Sequence, residues 1–215
     1  LPEWTLVDCL VVRDFYHSCT VDEHSFRAIE QLEHLAGPAP DLDRRFAQLA
    51  QETGDLPLLK MVLLLHDLGK AGQRGRHVER SVQLAAGICE RIQMPLPQRR
   101  QLLFLIEHHL SLSNVVARRD LLDPSTAREV AWMVGTVEML RDLVLLTWAD
   151  VSAVNPQAMT SWRNEQLWRL YLLTYRALAA GLEEDRVEEI PEQCPELASF
   201  VFGFPERYRR LYGES

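Results

Sequence analysis

The chain has 215 residues, of which 47% are hydrophobic and 25% are charged, a composition typical of a globular protein with one sizeable core. Its net charge of −8 argues against a nucleic-acid backbone as the partner. No apolar run approaches the roughly 20 residues that a membrane helix needs. The four cysteines show no CxxC pairing, so we expect reduced thiols and a cytoplasmic protein. The first residue is not Met, which suggests a segment of a longer protein.

Almost every segment has the apolar periodicity or the boundary residues of a helix. Thr20 and Glu23 form a capping-box pattern that opens the first helix, whose apolar positions run from Phe26 to Leu35. Asp55 and Pro57 have the order of an N-cap and a first-turn proline. We expect Gly69, Gly72 and Gly75 to mark a loop. The predicted helices are approximately 21–35, 42–51, one that begins near residue 56, 76–92, 98–110, 124–151 with a bend near Gly135, and 160–182.

No segment is typical of β-strands, of an internal repeat or of a low-complexity region. The predicted fold class is therefore all-α. We expect one helical domain over residues 1–182, followed by a C-terminal extension over residues 183–215 that is first acidic and then aromatic.

The apolar run from Met61 to Leu65 is followed directly by His66 and Asp67. Burying ionisable groups beside leucines is costly unless a partner neutralises them, and a divalent cation is an economical partner. Lys70 follows His66 by four residues, so a continuing helix would place both on one face. A lysine there stabilises charge on a phosphate oxygen. The alternative is a solvated lysine that ends a helix.

Further histidines and one distant carboxylate extend this motif: His77, His108, His109 and Asp150. Imidazole and carboxylate ligands suit Mn, Fe, Zn or Mg, and the absence of a nearby cysteine argues against a structural zinc site. One ion, or two ions about 3.5–4 Å apart that share Asp67, would activate water and hold a phosphoryl group. Each residue alone also has a structural explanation, so the prediction rests on the set. His17 and His34 lack a supporting pattern.

The order His24, then His66-Asp67, then Asp150 resembles the HD superfamily of metal-dependent phosphohydrolases. The sequence HDLGK at 66–70, the later His77 and the His108-His109 pair resemble the two-metal members. The resemblance implies an HD-domain helical bundle. It also implies one or two divalent ions with the ligands His24, His66, Asp67, His77, His108, His109 and Asp150, and catalytic roles for Asp67 and Lys70.

A more specific resemblance covers approximately residues 16–208. It is carried by YHSCTVDEH at 16–24, EHHLSLS at 107–113, RRDLLDP at 118–124, TWADVSAVNP at 147–156 and FPERY at 204–208. These segments resemble the uridylyl-removing part of the bifunctional uridylyltransferase/uridylyl-removing enzymes of bacterial nitrogen control. Cys19 and Arg76 depart from the family pattern. The chain also has neither a nucleotidyltransferase motif nor room for paired ACT domains, so it looks like the hydrolase module alone.

The resemblance implies hydrolysis of a uridylyl-tyrosine phosphodiester on a PII-type signal protein, with release of UMP. It assigns Lys70 and either Arg118 or Arg119 to the substrate phosphate. A solvated arginine pair beside Asp120 and Asp123 explains the two arginines equally well. Two other functions fit the same residues: hydrolysis of a nucleotide such as (p)ppGpp or a cyclic nucleotide, and a catalytically idle HD module with a regulatory or dimerisation role.

Overall fold

A computed structural model describes residues 1–12, 19–37, 44–72, 75–155 and 157–184, the last four by their backbone only. These ranges contain no β-strand, so the predicted all-α fold class is confirmed. Short 3-10 helices cover Pro2–Leu6 and Leu68–Ala71. The α-helices of the described ranges are α1 (Val21–Ala36), α2 (Arg44–Glu52), α3 (Leu56–Leu65), α4 (His77–Arg91), α5 (Leu96–His108), α6 (Ser111–Arg118), α7 (Pro124–Val134), α8 (Val137–Val154) and α9 (Ser161–Glu184).

The predicted start of α3 is confirmed. Asp55 is its N-cap, and the carboxylate of Asp55 accepts a hydrogen bond of 3.0 Å from the backbone nitrogen of Leu58. Pro57 lies in the first turn, where its missing N–H group costs nothing. Most of the helix that follows is buried among its neighbours α1, α5 and α8. The hydrophobic residues of α3 thereby carry the His66-Asp67 pair into the interior.

Helix α8 is the second deeply buried element. Every residue from Leu143 to Ala149 is buried, and α8 packs against α1, α5 and α9. A helix buried on all sides needs no amphipathic stripe, which explains its almost continuous apolar sequence. Asp150 follows this run directly. The carboxylate of Asp150 therefore lies at the end of the buried part of α8, beside His66.

Several local expectations need correction. Thr20 is the N-cap of α1, but its side chain makes no capping hydrogen bond and bonds instead to the carboxylate of Asp22. The ring of Phe26 is 51% exposed and packs on Trp4 rather than in the core. Helix α5 begins at Leu96, so Pro97 lies in its first turn instead of ending the preceding segment. Helix α6, between His109 and Asp120, was not predicted.

The expectation that Lys70 and His66 share one α-helical face is wrong. Helix α3 ends at Leu65 with His66 as its C-cap, and the chain then tightens into the 3-10 helix that contains Gly69 and Lys70. Gly69 therefore lies in a helical turn rather than in an open loop. Because a 3-10 turn advances about 2.0 Å per residue with three residues per turn, Lys70 is aligned with Asp67 instead.

The bend predicted near Gly135 is an interruption between α7 and α8. Gly135 ends α7 with a φ of 71°, in the left-handed region that glycine adopts without strain. None of the described helices combines the length and the apolar character needed to cross a membrane. His17, Cys194 and the FPERY sequence lie outside the described residues, as does nearly all of the predicted extension over 183–215.

Candidate metal centre

His66 is oriented by the end of α3. Its Nδ1–H group donates a hydrogen bond of 2.7 Å to the backbone carbonyl of Leu63. A carbonyl oxygen can only accept, so the proton of the neutral ring lies on Nδ1 and the lone pair on Nε2. The Nε2 atom then faces the carboxylate of Asp67, 3.2 Å from its Oδ2 atom. In histidines that bind metals through Nε2, the Nδ1–H group typically donates a hydrogen bond, often to a backbone carbonyl.

Two further helices complete a first group of side chains. Helix α1 supplies His24, whose Nε2 atom lies 2.7 Å from Oδ1 of Asp150 on α8 and 3.9 Å from Oδ2 of Asp67. Asp150 Oδ1 is also 3.5 Å from Nε2 of His66. One ligand atom each of His24, His66 and Asp67 lie within 4.8 Å of one another, which is the spacing of ligands around one ion.

A second group shares Asp67 with the first. His77 is the first residue of α4, and His109 is the C-cap of α5. Their ligand atoms and one from Asp67 again lie within 4.8 Å of one another. His109 repeats the arrangement of His66, since its Nδ1–H group donates to the carbonyl of Ile106 over 2.7 Å. Its Nε2 atom faces Oδ1 of Asp67 at 3.9 Å. Asp67 thus presents one oxygen to each group.

The charges of the cluster are strongly coupled. Burial opposes ionisation of Asp67, but the charges of His66 and Lys70 outweigh it and hold the pKa of Asp67 well below its usual range. Burial likewise opposes protonation of His66, yet Asp67 and Asp150 raise the pKa of His66 to about 10. In the absence of another cation, the two carboxylates therefore keep the imidazole of His66 in its protonated, positively charged form.

The two histidines of the second group have lowered pKa values, in contrast to His66. Burial, reinforced by the positive charges around it, lowers the pKa of His77 and the pKa of His109. Both imidazoles are therefore neutral at pH 7, the form that binds metals. Nothing in this group needs to lose a proton before an ion binds.

The donor set fits a divalent cation. Nε2 of His66 and Oδ1 of Asp67 are buried, and neither makes a hydrogen bond within the described residues. A buried polar atom costs about 1–3 kcal/mol when it is left without a partner. An ion in the first group would give His66 Nε2 a partner, and an ion in the second group would give Asp67 Oδ1 one. The set contains only imidazole and carboxylate groups, which suit Mn, Fe, Zn and Mg.

The other predicted site residues are placed differently. Lys70 Nζ lies 2.6 Å from Oδ2 of Asp67, so the lysine belongs to the cluster. His108 belongs to neither group; its ring lies 4.4 Å from that of Phe104, and its Nδ1 is 3.4 Å from the hydroxyl of Ser111. Arg119 is paired at 3.0 Å with the carboxylate of Glu129, and Arg118 is exposed in the last turn of α6.

One further acidic group lies outside this centre and was not anticipated from the sequence. Asp8, Cys9 and Asp22 bring ligand atoms within 4.8 Å of one another, but Asp8 and Cys9 are exposed. Exposed carboxylates need no ion because water solvates them. This group therefore lacks the property that distinguishes the histidine cluster, namely buried ligand atoms.

Comparison with known proteins finds relatives of this chain. No protein-family model matches the chain. It is 37% identical over 195 residues to the bifunctional uridylyltransferase/uridylyl-removing enzyme of Pseudomonas putida, an alignment that covers 88% of this chain and 21% of that enzyme. The enzyme of the same name from Vibrio cholerae is 35% identical over 185 residues, covering 85% of this chain and 21% of the relative.

The chain is a homologue of one part of these enzymes. The resemblance predicted from the sequence segments is therefore confirmed. The chain spans about a fifth of the length of the relatives that it matches. Their name combines two activities, uridylyl transfer and uridylyl removal, and the shared segment contains the histidine and aspartate cluster.

Proposed function

We propose that the chain hydrolyses a phosphodiester with the help of divalent metal ions and removes UMP from a uridylylated PII-type signal protein in the bacterial cytoplasm. The observation that carries the proposal is the position of Asp67, a buried carboxylate shared by two groups of imidazole ligands. Shared carboxylates of this kind hold pairs of ions in phosphoryl hydrolases. Homology to enzymes named for uridylyl removal supports the choice of substrate.

The geometry supports two proposed ligand sets. His24, His66, Asp67 and Asp150 would hold one ion, and Asp67, His77 and His109 the other. His108 stays a prediction from the resemblance. Bound ions of the Mn, Fe, Zn or Mg type would supply Lewis acidity toward a phosphoryl oxygen and would lower the pKa of a water molecule.

Hydrogen bonds within the chain orient two of the proposed ligands, and a lysine supplies positive charge beside them. The hydrogen bonds to Leu63 and Ile106 fix the rings of His66 and His109 with Nε2 toward Asp67, so both rings are already oriented for binding. The ammonium group of Lys70 lies at the partly exposed edge of the cluster, where its charge would stabilise a substrate phosphate. Arg118 and Arg119 are proposed as further phosphate contacts, and Arg119 would have to leave Glu129 for this role.

The domain boundaries remain part of the proposal. Residues 1–182 would form the hydrolase unit, because every proposed ligand lies between His24 and Asp150. Residues 183–215 would connect this unit to other parts of a longer protein. Helix α9, which packs on α7 and α8, extends to Glu184 and would provide a rigid end for the connection.

The experiment is a hydrolysis assay with defined substrates. The purified chain is incubated with uridylylated PII protein and, separately, with a panel of nucleotides that includes ppGpp and cyclic nucleotides, each with Mn²⁺ or with EDTA. We expect Mn²⁺-dependent release of UMP from the protein alone. Activity only on a nucleotide would overturn the substrate assignment. Absence of activity on every substrate, with full metal occupancy, would favour the idle module. Asp142→Asn serves as the control variant and should keep the activity, since Asp142 is a buried aspartate outside both ligand groups.

A further inference from the structure

The 3-10 helix after Asp67 makes an unusually close backbone contact with the start of α4. A Cβ atom added at Gly69 would overlap the backbone carbonyl oxygen of His77 and would lie 2.7 Å from the backbone nitrogen of Ser81. Backbone atoms cannot turn aside as a flexible side chain can. Gly69 is therefore required here by proximity and not by a special φ angle.

Ser81 completes this contact. Its side chain is fully buried, and its hydroxyl oxygen accepts a hydrogen bond of 2.9 Å from the backbone N–H group of Gly69. A buried backbone N–H group must find a partner, and the hydroxyl of Ser81 is that partner. The Gly69–Ser81 contact thus fixes the separation and the rotation of α4 relative to the 3-10 helix.

The position of this contact relative to the two ligand groups is informative. Gly69 lies two residues after Asp67, and Ser81 lies one helical turn after His77. The contact therefore joins the shared carboxylate to the one ligand that α4 supplies. In the first group only the shared Asp67 adjoins this contact, because His24 comes from α1, His66 from the end of α3 and Asp150 from α8.

We infer that Gly69 and Ser81 are positioning residues for the second ion. They hold His77 close enough to Asp67 and His109 for the three side chains to bind one ion. This inference rests on the proposed two-ion function. It assigns separate supports to the two ions, one built by α1, α3 and α8 and the other by the Gly69–Ser81 contact. A residue that touches neither ion would then control the occupancy of one of them.

The test is a calorimetric titration of the metal-free chain with Mn²⁺. We expect two ions to bind to the wild-type chain. We expect Gly69→Ala to retain the first ion and to bind the second about 10-fold to 100-fold more weakly, the range observed for outer-shell substitutions. Gly87→Ala is the matched control, because Gly87 lies on the same helix α4 and a Cβ atom there meets nothing within 4 Å. This control should bind both ions as the wild type does.

Ser81 provides a second route to the same result. Ser81→Ala adds no atom, so it remains informative if Gly69→Ala does not fold. We expect it to weaken the second ion selectively, and we expect Ser81→Thr, which keeps the hydroxyl oxygen, to restore binding. Equal binding of both ions by Gly69→Ala and Gly87→Ala would overturn the inference alone. A wild-type chain that binds fewer than two ions would overturn the two-ion form of the proposed function, and the inference with it.

Discussion

Asp67 and Asp142 are both buried carboxyl groups, with 2% and 4% of their surface exposed, yet their surroundings differ in kind. Asp67 is surrounded by imidazole groups and by the ammonium group of Lys70, which keep it ionised. Asp142 on α8 accepts one hydrogen bond of 2.6 Å from the amide of Gln101, and burial raises its pKa to about 6. Asp67 therefore stays ionised well below neutral pH, whereas Asp142 binds a proton near pH 6.

The difference shows why burial alone does not identify a site. A buried acid with a single amide partner relieves its desolvation by binding a proton, which is a structural solution. A buried acid that stays ionised needs a concentration of positive charge. At Asp67 a proton on His66 and the charge of Lys70 supply it, and a divalent ion would supply it better. Substitutions in the two regions should therefore affect different properties.

The largest effect is expected from Asp67→Asn. This change keeps the size of the side chain but removes the charge that both ligand groups share. We expect the rate of Mn²⁺-dependent UMP release to fall roughly 10⁴-fold, a loss comparable to removal of an essential group in other hydrolases. The rate is measured by chromatography of the released UMP. A folded Asp67→Asn variant with more than a tenth of the wild-type rate would contradict the assignment.

The adjacent histidines allow a sharper test. His109 belongs to the second ligand group, whereas the ring of His108 packs at a tilt against Phe104. We expect His109→Ala to lower the rate of UMP release roughly 10³-fold through loss of one ion, and His108→Ala to lower it less than about 10-fold. Calorimetric metal titration of both variants gives the stoichiometry. The reverse order of effects would favour the ligand set implied by the resemblance, with His108 bound to metal.

Lys70→Met tests the phosphate contact. The substitution retains an aliphatic side chain of similar length and removes the ammonium group. We expect the rate of UMP release to fall about 10²-fold, as when one electrostatic contact to the transition state is lost. Metal stoichiometry should stay unchanged, since Lys70 is not a ligand. If a folded Lys70→Met variant lost an ion together with activity, the lysine would instead support the metal centre.

The smallest effect is expected from Asp142→Asn, and it concerns stability alone. Because the pKa of Asp142 is higher in the folded protein than in the unfolded one, its contribution to stability is lost as pH rises from about 4 to 6. Removal of the charge should then stabilise the protein at pH 7.5 by about 1–2 kcal/mol. The free energy of unfolding is measured in urea at pH 7.5 and at pH 4. An equal difference at both pH values would contradict this explanation.

The fold class and most helix boundaries could be predicted because they depend on local signals. The Asp55 cap is a local signal, and it makes the predicted kind of hydrogen bond. The turn after α3 was less predictable: α3 ends at Leu65 and continues as a 3-10 helix because Gly69 must approach α4 closely. That approach depends on tertiary packing and leaves no periodic signal in the sequence.

The candidate centre was predictable as a set of residues but not as a geometry. The sequence, together with its resemblance to the HD superfamily, indicated the residues His24, His66, Asp67, His77, His108, His109 and Asp150. It could not separate His108 from His109, because the two neighbours differ by about 100° around α5 and only packing shows which one faces Asp67. It also missed Ser81, whose role depends on the backbone of Gly69. The single available signal was a serine one turn after His77.

Crystals of the chain grown with Mn²⁺, measured by anomalous diffraction at the manganese edge, test the central claim most directly. The account predicts two anomalous peaks beside Asp67, one toward His24, His66 and Asp150 and the other toward His77 and His109. Absence of a peak from the cluster, or a peak only at the exposed group of Asp8, Cys9 and Asp22, would contradict it.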